Sequence, residues 1–138
     1  GMNSYTLAEL SVGMKEAFHI VLTKEMMLQF RAITGDNNPL HCDADYALAN
    51  GQPEVVAYGL LTASFLSTLA GVYLPGKNSL IHSVEIKFAQ PVYPGDELLL
   101  EGTVAEVNAD YGFIVVRYRM TNQHEQCVLR GKMQIGVR

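Results

Sequence analysis

The spacing of apolar residues divides the chain into two halves. After Gly76, apolar and polar residues alternate, and this pattern predicts β-strands that bury one face. The first of these strands places one set of residues on a single face: Leu80, His82, Val84, Ile86 and Phe88. On that pattern His82 is interpreted as a core or interface histidine. Further strands are predicted at residues 98–104, 113–120 and 127–137. Because short turns join consecutive strands, we expect antiparallel pairs.

The first half of the chain shows helical spacing instead. Its predicted elements are a strand at residues 17–22, a helix at residues 24–33 and a second short helix at residues 44–50. Thr23 and Asp43 stand where they can cap these helices. Gly35 is a predicted end of the first helix, since glycine accepts the left-handed conformation found there. Pro39 disfavours a helical residue before it, so residues 36–41 are predicted to form an irregular loop.

A third helix is predicted at residues 59–73, within a stretch that contains no charged residue. Such a helix is about 22 Å long, shorter than the roughly 30 Å hydrocarbon core of a membrane. We therefore predict a helix that is apolar on all sides and buried in a soluble fold. Met26 and Met27 are interpreted as further core residues. Four or five strands around this helix give an α+β domain.

Length, charge and cysteine content limit the function classes. With 138 residues the chain is expected to form a single domain, residues 1–138. The net charge of −4 and the lack of a basic run argue against a nucleic-acid partner. Two cysteines are too few for a disulfide scaffold and fit a reducing cytoplasm. Gly1 before Met2 is interpreted as a tag remnant, and no secretion signal or membrane span is predicted.

The densest group of polar residues lies at residues 34–41. Asp36 and His41 can converge if this loop folds back on itself. A carboxylate and an imidazole together can take and give a proton in one cycle, as the addition of water across a double bond requires. The alternative interpretation is that Asp36 is a turn former and His41 a surface residue.

The sequence motifs strengthen the first interpretation. The run Phe30-x-x-x-Thr34-Gly35-Asp36-x-Asn38-Pro39-Leu40-His41 resembles the hydratase motif of the MaoC-like family, the (R)-specific enoyl-CoA hydratases. Residues 59–64 and 88–96 resemble a helix start and a later strand and loop of the same family. The resemblance implies a hot-dog fold, in which an antiparallel sheet wraps one long central helix.

The resemblance also implies roles for individual residues. Asp36 and His41 match the catalytic pair that activates a water for addition to C3 of a trans-2-enoyl thioester and protonates C2. Asn38 is expected to orient that pair or the water. Ser64 matches a position that hydrogen-bonds the catalytic aspartate. Gly59 matches the amide donor to the thioester carbonyl, a role that suits the partial positive charge of a helix N-terminus.

Tyr58 departs from the family pattern, because many members carry histidine at this position. A phenol stays neutral at pH 7, so Tyr58 is expected to bind substrate through one hydrogen bond or to narrow the pocket. This departure bears on the choice of substrate more than on the chemistry.

The function implied is reversible hydration of an enoyl thioester to its (3R)-hydroxyacyl form. The acyl carrier is coenzyme A or acyl carrier protein, no metal or redox cofactor is implied, and a homodimer or higher homo-oligomer is expected. Two alternatives are a hot-dog thioesterase and a non-catalytic acyl-thioester binding module. Many thioesterases of this fold carry a carboxylate on the central helix, and residues 59–73 contain none.

Overall fold

Local sequence signals set the beginning and end of the first helices. The structure, a computed structural model, describes all residues from 1 to 138. The Thr23 side chain accepts a hydrogen bond from the Met26 amide at 3.1 Å and begins helix α1, Lys24–Thr34. Gly35 ends α1 in the left-handed conformation, with φ of 73°. Two further amides donate to the Asp43 side chain and begin helix α3, Ala44–Ala49. These predicted caps are confirmed.

The loop predicted at residues 36–41 is wrong in part, because a short helix, α2, spans Pro39–Cys42. The Asn38 side chain accepts a hydrogen bond from the Leu40 amide at 3.0 Å and begins this helix. Pro39 occupies the first helical position, where its missing N–H costs nothing and its fixed φ suits the helix. The proline therefore starts a helix here as well as breaking the one before it.

The remaining elements are one longer helix and five strands. Helix α4 spans Gly59–Thr68 and continues as a π-helical turn over Leu69–Tyr73, which matches the predicted range. The strands are β1 (Lys15–Val21), β2 (Ser79–Phe88), β3 (Glu97–Asn108), β4 (Phe113–Thr121) and β5 (Cys127–Val137). They form one antiparallel sheet in the order β1-β3-β4-β5-β2.

Strand pairing follows the sequence order only in part. The pairs β3–β4 and β4–β5 are hairpins, as predicted. Strands β2 and β3 follow each other in the chain but are not paired, because β2 lies at the sheet edge beside β5. The connection at residues 89–96 contains Pro91 and Pro94 and is too long for a tight hairpin.

A bulge in β2 changes the predicted face of that strand. The pairing with β5 shifts between Ile81 and Ser83, so His82 is the extra residue. The bulge reverses the alternation, and it is Ile81, not Leu80, that lies opposite the buried Ile135. The prediction that Leu80 and His82 share a face with Val84 is therefore wrong. His82 is exposed and its Nδ1 lies 3.0 Å from the Gln134 amide nitrogen, so it is not a core residue.

The core lies between the inner face of the sheet and α4. Leu66 and Leu69 are buried on the helix, and each such side chain stabilises the fold by about 1.5–3 kcal/mol. Met27 is buried in the same cluster and Met26 packs against it, as predicted. Helix α4 is not buried on all sides, however, because Leu60 is 66% exposed and Ser64 lies on the same open side. No helix of the fold is both long enough and apolar enough to cross a membrane.

Candidate active site

A cavity of about 320 Å³ opens beside the first turn of α4. His41 and Gly59, two of the predicted site residues, line it together. Its walls are mainly apolar and come from the segment before α4, from the end of β2 with the loop that follows, and from the start of β5: Val56, Ala57, Phe88, Ala89, Pro91, Val92, Val128 and Leu129. The lining is suited to an acyl group more than to a polar ligand.

The contacts of His41 define the state of its imidazole ring. The Nδ1 atom lies 2.6 Å from the carbonyl oxygen of Val56. Because a carbonyl only accepts hydrogen bonds, Nδ1 carries the proton and donates it. In the neutral ring Nε2 is then left with a free lone pair. His41 is half-buried and borders the cavity, so this lone pair is available as a base.

Gly59 stands at the first position of α4, where the backbone passes close to β2. A Cβ atom built on Gly59 would lie 3.1 Å from Cε1 of Phe88, tighter than ordinary contact. The residue before it, Tyr58, makes no side-chain cap to the helix. The amides of the first turn therefore have no side-chain acceptor at the cavity wall, which carries the partial positive charge of the helix N-terminus.

Tyr58 joins the two predicted catalytic residues. Its hydroxyl donates a 2.6 Å hydrogen bond to the backbone carbonyl of Asp36, and its ring lies 4.4 Å from the ring of His41. The Tyr58 ring also contacts Phe30, with centroids 5.0 Å apart. The single phenol proton is used on Asp36, so the Cys42 thiol, 3.6 Å away, acts as the donor to the Tyr58 oxygen.

The position of Tyr58 differs from the substrate-binding role predicted for it. The residue is 2% exposed and does not border the cavity beside α4. Its burial raises the pKa of the phenol above the usual 10.0, the neighbouring Cys42 raises it further, and Arg31 partly offsets the two. The phenol is therefore a neutral donor that holds the Asp36 backbone, through a hydrogen bond, next to the ring that contacts His41.

Asp36 and Asn38 lie on the exposed surface of the loop. The Oδ1 atom of Asp36 accepts a hydrogen bond from the backbone amide of Asn38 at 3.1 Å. The Asn38 side chain is engaged in capping α2. Neither residue borders the cavity that His41 and Gly59 share, so the Asp36 carboxylate does not reach this cavity in the structure.

Ser64 also departs from the arrangement that the resemblance implied. Its hydroxyl donates a 2.6 Å hydrogen bond to the Leu61 carbonyl one turn earlier in α4. The expected hydrogen bond to Asp36 is not formed, because Ser64 faces the open side of the helix.

Three contributors to the site had no clear signal in the sequence. The Val56 carbonyl that orients His41 is a backbone atom, so no side-chain pattern marks it. Phe88 lines the cavity but reads in the sequence as one apolar residue of a strand. Thr62 is 2% exposed, lines the cavity and donates a 3.3 Å hydrogen bond to the Tyr58 carbonyl. Its place in the family-like segment at residues 59–64 is the one hint that could have identified it.

Comparison with known proteins defines the class of the fold. The structure superposes on the unliganded R-hydratase from Pseudomonas aeruginosa with a TM-score of 0.89 and 30% identity, covering 96% of this chain and 84% of that one. The antiparallel sheet with one main helix is therefore the predicted α+β hot-dog fold.

Sequence comparison identifies the family. Residues 9–126 match the MaoC like domain, and the chain belongs to that family. It is 30% identical over 123 residues to the (R)-specific enoyl-CoA hydratase of Aeromonas caviae, covering 89% of this chain and 92% of that protein. It is 32% identical over 99 residues to the 3-hydroxybutyryl-CoA dehydratase of Methylorubrum extorquens, covering 72% of this chain and 63% of that one.

Proposed function

We propose that the protein is a hydro-lyase that reversibly hydrates a trans-2-enoyl thioester to its (3R)-3-hydroxyacyl form. One observation carries the proposal: His41, with Nδ1 bound to Val56 and Nε2 free, borders an apolar cavity at the uncapped first turn of α4. The relatives named hydratase and dehydratase catalyse, by their names, the two directions of such a reaction.

The proposed reaction uses the base and the helix N-terminus together. As the oxygen of water bonds to C3, one water proton passes to Nε2 of His41. The electron pair of the double bond moves through C2 to the thioester oxygen, and C2 then receives a proton from the Asp36/His41 pair. Developing charge on the thioester oxygen is stabilised by the amide of Gly59. The step involves no change of oxidation state overall, so it needs no redox cofactor.

Asp36 is assigned the second role in proton transfer. Its support in the structure is indirect: Tyr58 binds the Asp36 backbone and contacts the His41 ring, so the two residues are held by one side chain. Asn38, bonded to Asp36 through its amide, is assigned to orientation of the loop.

The test is a hydration assay with crotonyl-CoA and octenoyl-CoA, followed by loss of enoyl absorbance. Asp36→Asn is expected to lower turnover by about 10²–10⁴-fold if the carboxylate takes part in proton transfer. Asp43→Asn is the matched control, since Asp43 only caps α3. Release of free thiol without loss of the double bond would favour a thioesterase and overturn the proposal.

One observation favours a second candidate, a non-catalytic acyl-thioester binding module. The Asp36 carboxylate is exposed and does not border the cavity. A well-folded sample that binds enoyl-CoA without turnover would establish this alternative in place of the hydro-lyase.

A homodimer is proposed on the basis of the open side of the fold. Strand β2 is a sheet edge of ten residues, and an open edge favours pairing with another strand. Large apolar residues are exposed on this strand and on α4: Leu60, Leu80, Ile81, Val84 and Phe88. A monomeric mass by light scattering would contradict the proposal. A cytoplasmic location stays a prediction, supported by the two free cysteines.

The acyl carrier is proposed to be coenzyme A or acyl carrier protein. The chain offers a cavity for the thioester end of either carrier, since both present the same phosphopantetheine arm. Comparison of kcat/KM for one acyl group on the two carriers distinguishes them.

A further inference from the structure

A second cavity, of about 230 Å³, lies on the α1 side of His41. His41 borders both this cavity and the larger one beside α4. The walls of the smaller cavity are partly apolar, with Met27 and Leu28 from α1 and Val55 from the segment before α4. Arg31 and Lys24 of the same helix also line it.

The guanidinium group of Arg31 lies near the Tyr58 hydroxyl, where its charge lowers the phenol pKa, but it has no carboxylate partner in the chain. Its Nε atom is buried without a hydrogen bond, and it is the one such side-chain atom in the structure. The single ion pair of the molecule joins Lys132 and Glu85, so no carboxylate neutralises Arg31 or Lys24. Arg31 and Lys24 therefore bring two positive charges to this cavity with no carboxylate beside them, and an anionic group of a ligand would neutralise that charge.

The proposed reaction gives the direction in which the acyl group extends. The thioester carbonyl is assigned to the Gly59 amide, in the larger cavity, and C3 is assigned to Nε2 of His41. Atoms beyond C3 then continue past the imidazole, away from Gly59. The cavity on the far side of His41 is the one that contains Arg31.

We infer that Arg31 binds a carboxylate at the far end of the acyl group, so that the preferred substrate is the monothioester of an unsaturated dicarboxylic acid. The planar guanidinium presents two parallel N–H donors that match a carboxylate. The small volume of the cavity suits a short acyl chain. This inference rests on the proposed hydration, because the direction of the acyl group comes from that reaction.

Two CoA thioesters that differ at one position provide the test. Crotonyl-CoA carries a methyl group on C3, and the monothioester of trans-butenedioate carries a carboxylate there. Wild-type protein is expected to hydrate the dicarboxylic thioester with a kcat/KM about 10-fold higher or more, as one charged hydrogen bond allows. Arg31→Met is expected to lower that value about 10–100-fold while changing crotonyl-CoA by less than about 3-fold.

Arg31→Lys separates charge from geometry. It is expected to retain part of the preference, because lysine keeps the charge but loses the fork of donors. Lys15→Met, on the first strand, is the control and is expected to change neither substrate. An equal loss of activity on both thioesters in Arg31→Met, or a wild-type preference for crotonyl-CoA, would overturn the inference.

Binding of saturated analogues keeps this inference separate from the hydration proposal. Succinyl-CoA and butyryl-CoA carry the same two end groups and cannot be hydrated. Calorimetry is expected to show tighter binding of succinyl-CoA to wild type and loss of that difference in Arg31→Met. If binding shows the difference but no enoyl thioester is hydrated, only the hydration proposal fails. If neither analogue is distinguished, the assignment of Arg31 fails.

Discussion

The two cavities that share His41 differ in size and in chemistry. The larger one, beside α4, is mainly apolar and has the uncapped helix start in its wall. The smaller one is lined by two cations, Lys24 and Arg31, that no carboxylate neutralises. The His41 imidazole thus lies between two regions. The helix start on one side suits negative charge that develops in the transition state, and the cations on the other side suit a negative charge that the substrate already carries. On the proposed assignments, we expect substitutions on one side to change the reaction and substitutions on the other side to change the choice of substrate.

Removal of the shared imidazole is expected to have the largest effect. His41→Ala should lower kcat for hydration by about 10²–10⁴-fold, because it removes the proposed base. Binding of saturated acyl-CoA, measured by calorimetry, should change far less. His19→Ala is the control, since His19 is exposed on β1. Near-normal turnover in His41→Ala would end the idea that the two cavities meet at a base.

Gly59→Ala tests the larger cavity alone. The added Cβ would approach the Phe88 ring at 3.1 Å and alter the amide at the helix start. We expect kcat to fall by about 10–100-fold, as displacement of an oxyanion donor or of the reacting atoms does. Gly71→Ala is a matched control, because the nearest atom to its Cβ is Ser79 Oγ at 3.8 Å. If both variants keep full activity, the α4 amide has no part in the reaction.

Tyr58→Phe tests the contact through which Tyr58 connects Asp36 with His41. The change removes the hydrogen bond to the Asp36 carbonyl but keeps the ring against His41. A hydrogen bond of this kind contributes about 0.5–1.5 kcal/mol. We therefore expect a kcat that is lower by about 2- to 10-fold and an unchanged KM. Tyr111→Phe, at an exposed position, is the control. A rise in KM with normal kcat would return Tyr58 to its predicted substrate-binding role.

The smallest effect concerns a tyrosine away from both cavities. Tyr118 donates a 2.5 Å hydrogen bond to the Glu85 carbonyl, and burial raises its pKa to about 12, with a smaller contribution from Glu85. In the unfolded chain the phenol loses its proton near pH 10, so unfolding becomes easier as pH rises from about 10 to 12. Urea unfolding at about pH 9 and about pH 11 should show a smaller loss of stability in Tyr118→Phe than in wild type. Equal losses in the two proteins would contradict the assignment.

Features encoded locally could be predicted from the sequence. The caps at Thr23 and Asp43 and the glycine after α1 act within a few residues, so residue type alone indicates them. The strand ranges follow from alternation for the same reason. The motif at residues 34–41 likewise singled out His41, which the structure places at the border of a cavity.

Features that depend on the tertiary structure could not be predicted. The bulge at His82 depends on pairing with β5, the last strand of the chain. The partner of the Tyr58 hydroxyl is a backbone carbonyl 22 residues earlier, which no side-chain pattern marks. Arg31 reads in the sequence as an ordinary helix cation, and only the packing around α1 makes its Nε atom buried.

The short segment before α4 has a consequence for how the sequence can vary. Within three residues it supplies the Val56 carbonyl for His41, the Tyr58 hydroxyl for Asp36 and the start of the helix. Insertion of a single amino acid between positions 56 and 59 would shift these anchors relative to one another, whatever its side chain. Spacing, more than composition, is therefore the property of this tripeptide that evolution or an engineer must keep.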